Sequence, residues 1–232
     1  MSRRCLATLV ALGCFACTQP ENGDSPGLQE GEASPPAPSE SPPNLSLEEV
    51  IASISRDLLV DSALSEPRLV GDASDPRLAL PPGLYQVVHM AAPGMRTWSL
   101  SSFGGYASLS PWEPNAHQAL FAVIGDLDGD GHGDAAILGP SAGDHVLLLA
   151  LSNDGEPKVM ERSRQPLHPN PNAYQTYGTG FGIRYIAAGR YFCMDDPPEQ
   201  DIPEAFEELF FEKAAQIVYL ERGEFRVCGT AD

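Results

Sequence analysis

Basic residues are scarce in this sequence. Its 232 residues include 14 Lys and Arg against 32 Asp and Glu, which gives a formal net charge of −18 at pH 7. No Lys or Arg occurs between Arg4 and Arg56. Because so acidic a chain repels phosphates and anionic headgroups, the composition argues against nucleic-acid binding and against electrostatic docking to a lipid surface.

Zinc-binding histidine patterns and long hydrophobic runs are absent as well. The histidines show no H-E-x-x-H motif and no other close ligand spacing, so zinc catalysis has no support. The apolar run Cys5–Phe15 is too short to span a bilayer as a mature helix. The five histidines are His89, His117, His132, His145 and His168.

The first 16 residues have the organisation of an export signal. Arg3 and Arg4 form a basic segment, Cys5–Phe15 is apolar, and the small residue Ala16 precedes Cys17. A cysteine directly behind such a run resembles the lipobox of bacterial lipoproteins. The resemblance implies that residues 1–16 are removed and that Cys17 carries the lipid anchor.

Two details of this region leave alternatives open. Cys14, which follows Ala11-Leu12-Gly13, is a second possible lipidation site, and an ordinary cleaved signal with incidental cysteines is the simpler reading.

Thr18 follows Cys17, where an Asp would resemble an inner-membrane retention signal. We therefore expect a lipoprotein of the outer membrane, facing the periplasm or the surface.

Residues 17–45 predict a disordered tether. Between residues 18 and 45 the chain has seven prolines and five acidic residues, and it has little apolar surface to bury. Such a segment stays extended and separates an anchor from a folded domain. The folded part is expected to be a single domain over residues 46–232.

The folded part is predicted to begin with one helix. Residues 46–49, Ser-Leu-Glu-Glu, fit a capping box. Apolar residues then recur at helical spacing, which predicts an amphipathic helix of about 14 residues. These apolar residues are Leu47, Val50, Ile51, Ile54 and Leu58.

The rest of the chain predicts short strands. From about residue 83, apolar runs alternate with Gly, Pro and Asp, and turns such as Asn153-Asp154-Gly155 and Arg222-Gly223 favour antiparallel hairpins. The fold class is therefore mainly β with one N-terminal helix. The predicted strands are Leu84–Met90, Ala119–Ile124, Ala135–Leu138, His145–Leu151, Gly182–Ala187, Phe206–Phe211, Gln216–Glu221 and Glu224–Cys228.

An acidic, glycine-rich loop is the most informative stretch. Residues 125–134 read GDLDGDGHGD. Ca²⁺ takes about six to eight oxygen ligands, and a loop that offers them at positions 1, 3, 5, 7 and 9 wraps around the ion. Gly131, at position 6, allows the sharp bend with a positive φ. The predicted ligands are Asp126, Asp128, Asp130, His132 through its carbonyl oxygen, and Asp134.

The flanks of the loop distinguish it from an EF-hand. Position 12 is Ile137, where an EF-hand needs a bidentate Glu, and both flanks predict strands. The unit of Phe121–Ile124, loop and Ala135–Pro140 resembles the calcium-binding blades of integrin α-subunits and the bacterial FG-GAP or VCBS-type repeats. This resemblance, over about residues 119–151, implies a structural calcium that braces a hairpin. The motif occurs once, so a complete propeller is not expected.

Three further features of the sequence are candidate sites. Residues 139–143 fit the G-x-S-x-G pattern of a hydrolase elbow, but a strand is predicted where that elbow needs a helix. Tyr174, Tyr177 and Phe181 are candidates for stacking on a sugar, although such aromatics more often pin a loop. Cys193 and Cys228 are the only cysteines outside the leader region, here residues 1–17, which predicts a disulfide in an oxidising compartment.

The sequence thus predicts a non-enzymatic cell-envelope lipoprotein that holds Ca²⁺ as a structural brace and acts as a binding or structural module. It would contact the membrane through its anchor and would bind no nucleic acid. Two alternatives stay open. One is calcium-dependent adhesion to a glycan or protein, which EDTA would abolish, and the other is a hydrolase with its site in the long loops.

Overall fold

The computed structural model describes residues 45–108, 113–153, 156–170, 173, 179–194, 198–210 and 214–230. These residues all belong to one unit, Pro43–Asp232. The predicted signal segment, the lipidated Cys17 and the tether lie outside the described residues. None of the described helices is long and apolar enough to cross a membrane.

The first helix, α1 (Leu47–Ser53), begins at the predicted capping box. The Ser46 hydroxyl accepts a hydrogen bond from the Glu49 backbone N–H, and the Glu49 carboxylate accepts one from the Ser46 N–H. The helix is only half as long as predicted, because Ser55–Asp57 pairs as a strand with Arg96–Trp98. Pairing with a distant strand overrides the local helical periodicity, so the prediction of a helix of about 14 residues is wrong.

The second helix, α2 (Pro82–Ala91), replaces the predicted strand Leu84–Met90, which is wrong. Pro82 stands in the first turn, where its missing N–H costs nothing. Leu84 and Val88, four residues apart, are buried on one face of the helix. A short apolar run of this kind does not by itself distinguish helix from strand. A 3₁₀ segment, Leu100–Ser108, follows.

The described residues form sixteen strands. They include the predicted strands between residues 135 and 151 and between residues 182 and 228. The single strand predicted over Ala119–Ile124 is wrong, because a turn at Leu120 and Phe121 divides it into two short strands that pair antiparallel with each other. The strands are β1 Ser55–Asp57, β2 Leu59–Val60, β3 Arg68–Val70, β4 Arg77–Leu80, β5 Arg96–Trp98, β6 Gln118–Ala119, β7 Ala122–Gly125, β8 Asp134–Ser141, β9 Asp144–Leu151, β10 Lys158–Pro166, β11 Phe181–Ile186, β12 Gly189–Phe192, β13 Glu199–Ile202, β14 Ala205–Phe210, β15 Ala214–Glu221 and β16 Glu224–Thr230.

Two antiparallel sheets dominate the fold. The first, here called the central sheet, is a five-stranded meander in the order β10-β9-β8-β7-β6. The second, the C-terminal sheet, has the order β11-β14-β15-β16. Smaller sheets pair β1 with β5, β12 with β13, and β4 with β2 and β3, and β2–β4 is a parallel pair. The mainly β fold class is confirmed, and the described strands close into neither a barrel nor a propeller.

The main hydrophobic core surrounds the central sheet. All of β8 is buried, and the last six residues of β9 are buried too, so both faces of these strands are covered. Helix α2 packs against β9 and β10, and β5 packs against β8. A smaller cluster of buried residues surrounds the Cys193–Cys228 disulfide. Strand β10, which the sequence did not predict, is half-exposed and lacks a continuous apolar run.

The two large sheets are joined by specific contacts. The Ile183 N–H in β11 donates to the Leu120 carbonyl beside β6, at 2.9 Å. Arg162 in β10 forms an ion pair with Glu208 in β14, with Nε 3.0 Å from Oε1. The Arg162–Glu208 contact crosses from one sheet to the other beside a cavity.

Candidate metal centre

The acidic loop connects β7 to β8, as predicted. These strands pair up to the Gly125–Asp134 position, so residues 126–133 form the tip of a hairpin. Gly131 has a φ of 88° and Gly129 a φ of 80°, a region that L side chains rarely occupy. The positive φ expected at Gly131 is therefore confirmed. The strand–loop–strand arrangement differs from the helical flanks of an EF-hand.

Three of the predicted ligands converge within this loop. One carboxylate oxygen from each of Asp126, Asp128 and Asp130 lies within 4.8 Å of the other two. Their conformations are fixed by backbone N–H groups: Gly131 donates to Asp126 Oδ2 at 3.0 Å, and His132 donates to Asp130 Oδ1 at 2.9 Å. The carboxylates are thus held in place by the turn itself.

One carboxylate oxygen of these three aspartates has no hydrogen-bond partner. Asp126 Oδ1 is buried and has no hydrogen-bond partner. A buried acceptor left without a donor is costly, by about 1–3 kcal/mol. Within the described part of the chain, no Lys or Arg forms a salt bridge with any of the four loop aspartates. These features fit a bound cation, because a cation would satisfy the free oxygen and offset the charge.

Asp134 occupies a different environment from the other three. It is fully buried, and its carboxylate accepts N–H groups from Leu127 at 3.0 Å and Ser152 at 2.9 Å. The Ser152 hydroxyl also donates to the Gly133 carbonyl at 2.6 Å. Asp134 therefore ties both ends of the loop to the end of β9, and its carboxylate lies outside the three-oxygen cluster. Its role as a ligand, and that of the His132 carbonyl, stay predictions.

The carboxylates of this loop are electrostatically unfavourable without a counter-ion. Burial, and then the negative charge of Asp130, raise the pKa of Asp128. Burial raises the pKa of Asp134 to about 7, although two backbone N–H groups act in the opposite direction. Both shifts have the sign expected where negative charge is concentrated with too little solvation.

Two neighbours of the loop were not predicted. Glu204, in the turn between β13 and β14, accepts the Asp126 N–H through Oε2 at 2.8 Å. A Cβ at Gly125 would lie 2.5 Å from that oxygen, so only glycine allows Glu204 to approach this closely. Glu204 also hydrogen-bonds Tyr185, whose pKa is raised to about 12 by burial first and then by this carboxylate. No sequence signal indicates a contact between residues 78 positions apart.

A second unpredicted neighbour links the loop to β10. In the amide orientation that satisfies both neighbours, the Asn153 side-chain nitrogen donates to Asp128 Oδ2 at 3.2 Å. Its side-chain oxygen accepts from Lys158 Nζ at 3.1 Å. The positive charge of Lys158 acts on Asp128 by lowering its pKa, against the larger effect of burial. Lys158 is therefore a weak internal counter-ion at the edge of the cluster.

The other predicted sites have clear outcomes where the structure describes them. Cys193 and Cys228 form a disulfide, with Cα atoms 5.1 Å apart, so that prediction is confirmed. Ser141 is buried and donates to the Pro93 carbonyl at 3.0 Å, and the turn after it leads into β9. A strand thus follows the G-x-S-x-G pattern, as expected. Tyr174 and Tyr177 lie outside the described residues.

Comparisons with protein-family models, with curated proteins and with solved structures gave no match for this chain. The resemblance to FG-GAP and VCBS-type repeats therefore stays a prediction from the loop and its flanks.

Proposed function

We propose that the acidic loop binds Ca²⁺ and that the ion braces the β7–β8 hairpin of a non-enzymatic cell-envelope module. The observation that carries this proposal is the cluster of Asp126, Asp128 and Asp130, whose oxygens lie within 4.8 Å of one another without a Lys or Arg salt bridge among the described residues. The unpaired Asp126 Oδ1 supports it independently.

The dimensions of the cluster suit calcium. Ligand oxygens about 2.3–2.6 Å from a Ca²⁺ ion lie up to about 5 Å from one another, and a separation within 4.8 Å falls inside that limit. Mg²⁺ binds at about 2.0–2.1 Å, needs a near-ideal octahedron and keeps several waters. Asp126, Asp128 and Asp130 would hold the ion, and the His132 carbonyl and Asp134 complete the proposed set.

The expected role of the ion is mechanical. Neutralising the three carboxylates would stabilise the loop conformation, which already positions the Asp126 N–H against Glu204. Glu204 precedes β14 of the C-terminal sheet, whereas the loop belongs to the central sheet. A stable loop would therefore also stabilise the contact between the two sheets.

The cellular setting is part of the proposal and is supported by the sequence. The pattern ending at Cys17, the acidic and proline-rich residues 17–45 and the Cys193–Cys228 disulfide together favour an exported protein held to the membrane by a lipid. A hydrolase at Ser141 is disfavoured, because that hydroxyl is buried and already bonded to Pro93.

Calorimetric titration of the full-length protein with CaCl₂, and separately with MgCl₂, tests the metal assignment. We expect one Ca²⁺ site and much weaker Mg²⁺ binding. In Asp128→Asn/Asp130→Asn the calcium heat should vanish. The matched control, Asp57→Asn/Asp75→Asn, removes two exposed carboxylates elsewhere and should bind as the parent does. Absence of calcium binding in the parent would disprove the proposal.

A further inference from the structure

A cavity of about 430 Å³ lies where the central and C-terminal sheets meet. Strands from both sheets line it, and it lies within the range of about 300–1,000 Å³ that is typical of small-molecule sites. No residue of the acidic loop contributes to its lining, so the cavity is independent of the proposed calcium site. Its lining includes His145, Arg162, Phe181, Glu208, Phe210 and Gln216.

A rigid polar group forms one wall of the cavity. Glu208 is only 3% exposed, and its carboxylate accepts two hydrogen bonds from Arg162, at 3.0 and 3.1 Å. Gln216, directly across the sheet from Glu208, also donates to it. The Arg162 guanidinium lies 5.7 Å from the centre of the Phe225 ring, which restrains it further. This wall presents fixed hydrogen-bonding groups and no net charge.

A second polar group is left without a partner. His145 lines the same cavity, and its Nε2 is buried with no hydrogen bond. Burial lowers the pKa of His145 to about 4, so the ring is neutral at neutral pH. A neutral imidazole donates from one nitrogen and accepts at the other. A buried nitrogen of this kind is costly unless a ligand or water completes its hydrogen bond.

Aromatic rings supply the apolar part of the cavity. The Phe181 and Phe210 ring centres are 5.0 Å apart, and Phe210 is 39% exposed. His145 lies beside Phe181, with ring centres 5.7 Å apart. Such a surface packs against the C–H groups of a ligand, while the polar wall can bond its hydroxyl groups.

We propose that this cavity binds a neutral saccharide of one or two rings. A purely apolar ligand would desolvate the Arg162–Glu208 pair and leave the hydrogen-bonding groups of this wall unused. An anionic ligand is disfavoured, because Glu208 already neutralises Arg162 and the whole chain carries a formal charge of −18. A sugar offers both hydroxyl groups and an apolar ring face.

The site is suited to binding and not to cleavage. Hydrolysis of a glycosidic bond ordinarily uses two carboxyl groups on either side of the bond. Glu208 is the only carboxylate among the described residues that line the cavity, and it is held in the pair with Arg162. We therefore assign recognition of a sugar to these residues and no catalytic role.

Saturation-transfer difference NMR and calorimetry on the full-length protein test this proposal. The probes are glucose, galactose, mannose and N-acetylglucosamine, with their β1,4-linked disaccharides, and glucuronate as the charged counterpart of glucose. We expect saturable binding of at least one neutral sugar, and weaker binding of glucuronate than of glucose. Binding should persist in Asp128→Asn/Asp130→Asn, which distinguishes this site from the calcium loop.

A pair of phenylalanine variants provides the internal control. Phe210→Ala removes an aromatic ring from the cavity and should weaken sugar binding roughly fivefold or more. Phe192→Ala removes a ring that is 66% exposed outside the cavity and should leave binding unchanged. The proposal is overturned if no neutral sugar in the panel binds, if glucuronate binds better than glucose, or if both variants bind as the parent does.

Discussion

Acidic side chains in two regions of the described structure, strand β14 and the acidic loop, have opposite environments. In β14, the neighbouring residues Glu207 and Glu208 are both at most 4% exposed, and each contacts an arginine, Arg184 and Arg162 respectively. In the acidic loop, Asp126, Asp128 and Asp130 converge without an arginine or lysine salt bridge among the described residues. The negative charge of β14 is thus paired directly with arginines, whereas that of the acidic loop has only the weak, indirect influence of Lys158.

This difference indicates what each region can bind. A carboxylate that an arginine already neutralises has little attraction for a metal ion, so the surroundings of Glu208 suit a neutral ligand. Carboxylates without a fixed counter-ion attract a cation from solution. The two regions should therefore respond to different perturbations.

The largest effect is expected from breaking the buried pair. Arg162→Met leaves Glu208 buried without its partner, which should lower the free energy of unfolding by about 3–5 kcal/mol. Urea unfolding measures the loss, and Arg162→Met/Glu208→Leu should recover much of it. The control Arg190→Met breaks pairs whose side chains are 63–81% exposed and should cost about 1 kcal/mol or less. Equal losses of unfolding free energy in Arg162→Met and Arg190→Met would contradict the prediction that the buried pair contributes more than the exposed pairs.

The disulfide should contribute nearly as much. Cys193→Ser/Cys228→Ser opens a loop with a sequence separation of 35 residues. The chain-entropy relation predicts a loss of roughly 3–4 kcal/mol in the free energy of unfolding. Because the bond lies in the smaller cluster and not in the acidic loop, calcium affinity should stay as in the parent. Calorimetry that found weaker calcium binding in this variant would show that the two regions are coupled.

Acid should destabilise the cavity region through His145. Its pKa is lowered to about 4 in the folded protein, whereas an unfolded histidine titrates near 6.5. This histidine therefore contributes stability above its unfolded pKa, and the contribution is lost as the pH falls towards its folded pKa. Between pH 7 and pH 5 the loss should be about 2 kcal/mol. Urea unfolding of the parent and of His145→Gln at pH 7 and pH 5 isolates the contribution of this histidine. The free energy of unfolding of the variant should fall by about 2 kcal/mol less than that of the parent over this range.

The smallest effect concerns Lys158, a positively charged residue near the acidic loop. Lys158 lowers the pKa of Asp128 and therefore competes with a bound metal ion. Lys158→Met should strengthen calcium binding by about two- to fivefold, which corresponds to the energy of an exposed charge pair. Calorimetric titration checks this, with Arg190→Met as a control that removes a distant positive charge. Weaker binding in Lys158→Met would mean that the lysine positions the loop through Asn153.

Local patterns predicted the acidic loop and much of the sheet structure well. The spacing of Asp126, Asp128 and Asp130 around glycines is sufficient to predict both the turn and the convergence of the carboxylates. Alternating apolar runs flanked by turns predicted β8, β9 and the strands of the C-terminal sheet. The cysteine pair was predicted because only two cysteines lie outside the leader.

Long-range contacts account for what the sequence did not predict. Pairing of Ser55–Asp57 with Arg96–Trp98 ends α1 early, and that partner lies about 40 residues away. Glu204 reaches Asp126 across 78 positions, and Arg162 reaches Glu208 across 46. The cavity depends on several such contacts at once, and no local pattern indicates it. Asp134 fits the ligand spacing, but in the fold its carboxylate bonds Leu127 and Ser152.

Thermal unfolding of the full-length protein in CaCl₂ and in EDTA tests the central claim most directly. We predict that calcium raises the melting temperature of the parent and of Asp57→Asn/Asp75→Asn, but not that of Asp128→Asn/Asp130→Asn. That pattern would establish the loop as a calcium-dependent brace. Identical melting temperatures of the parent in CaCl₂ and EDTA would contradict the account and leave the loop as a solvated turn.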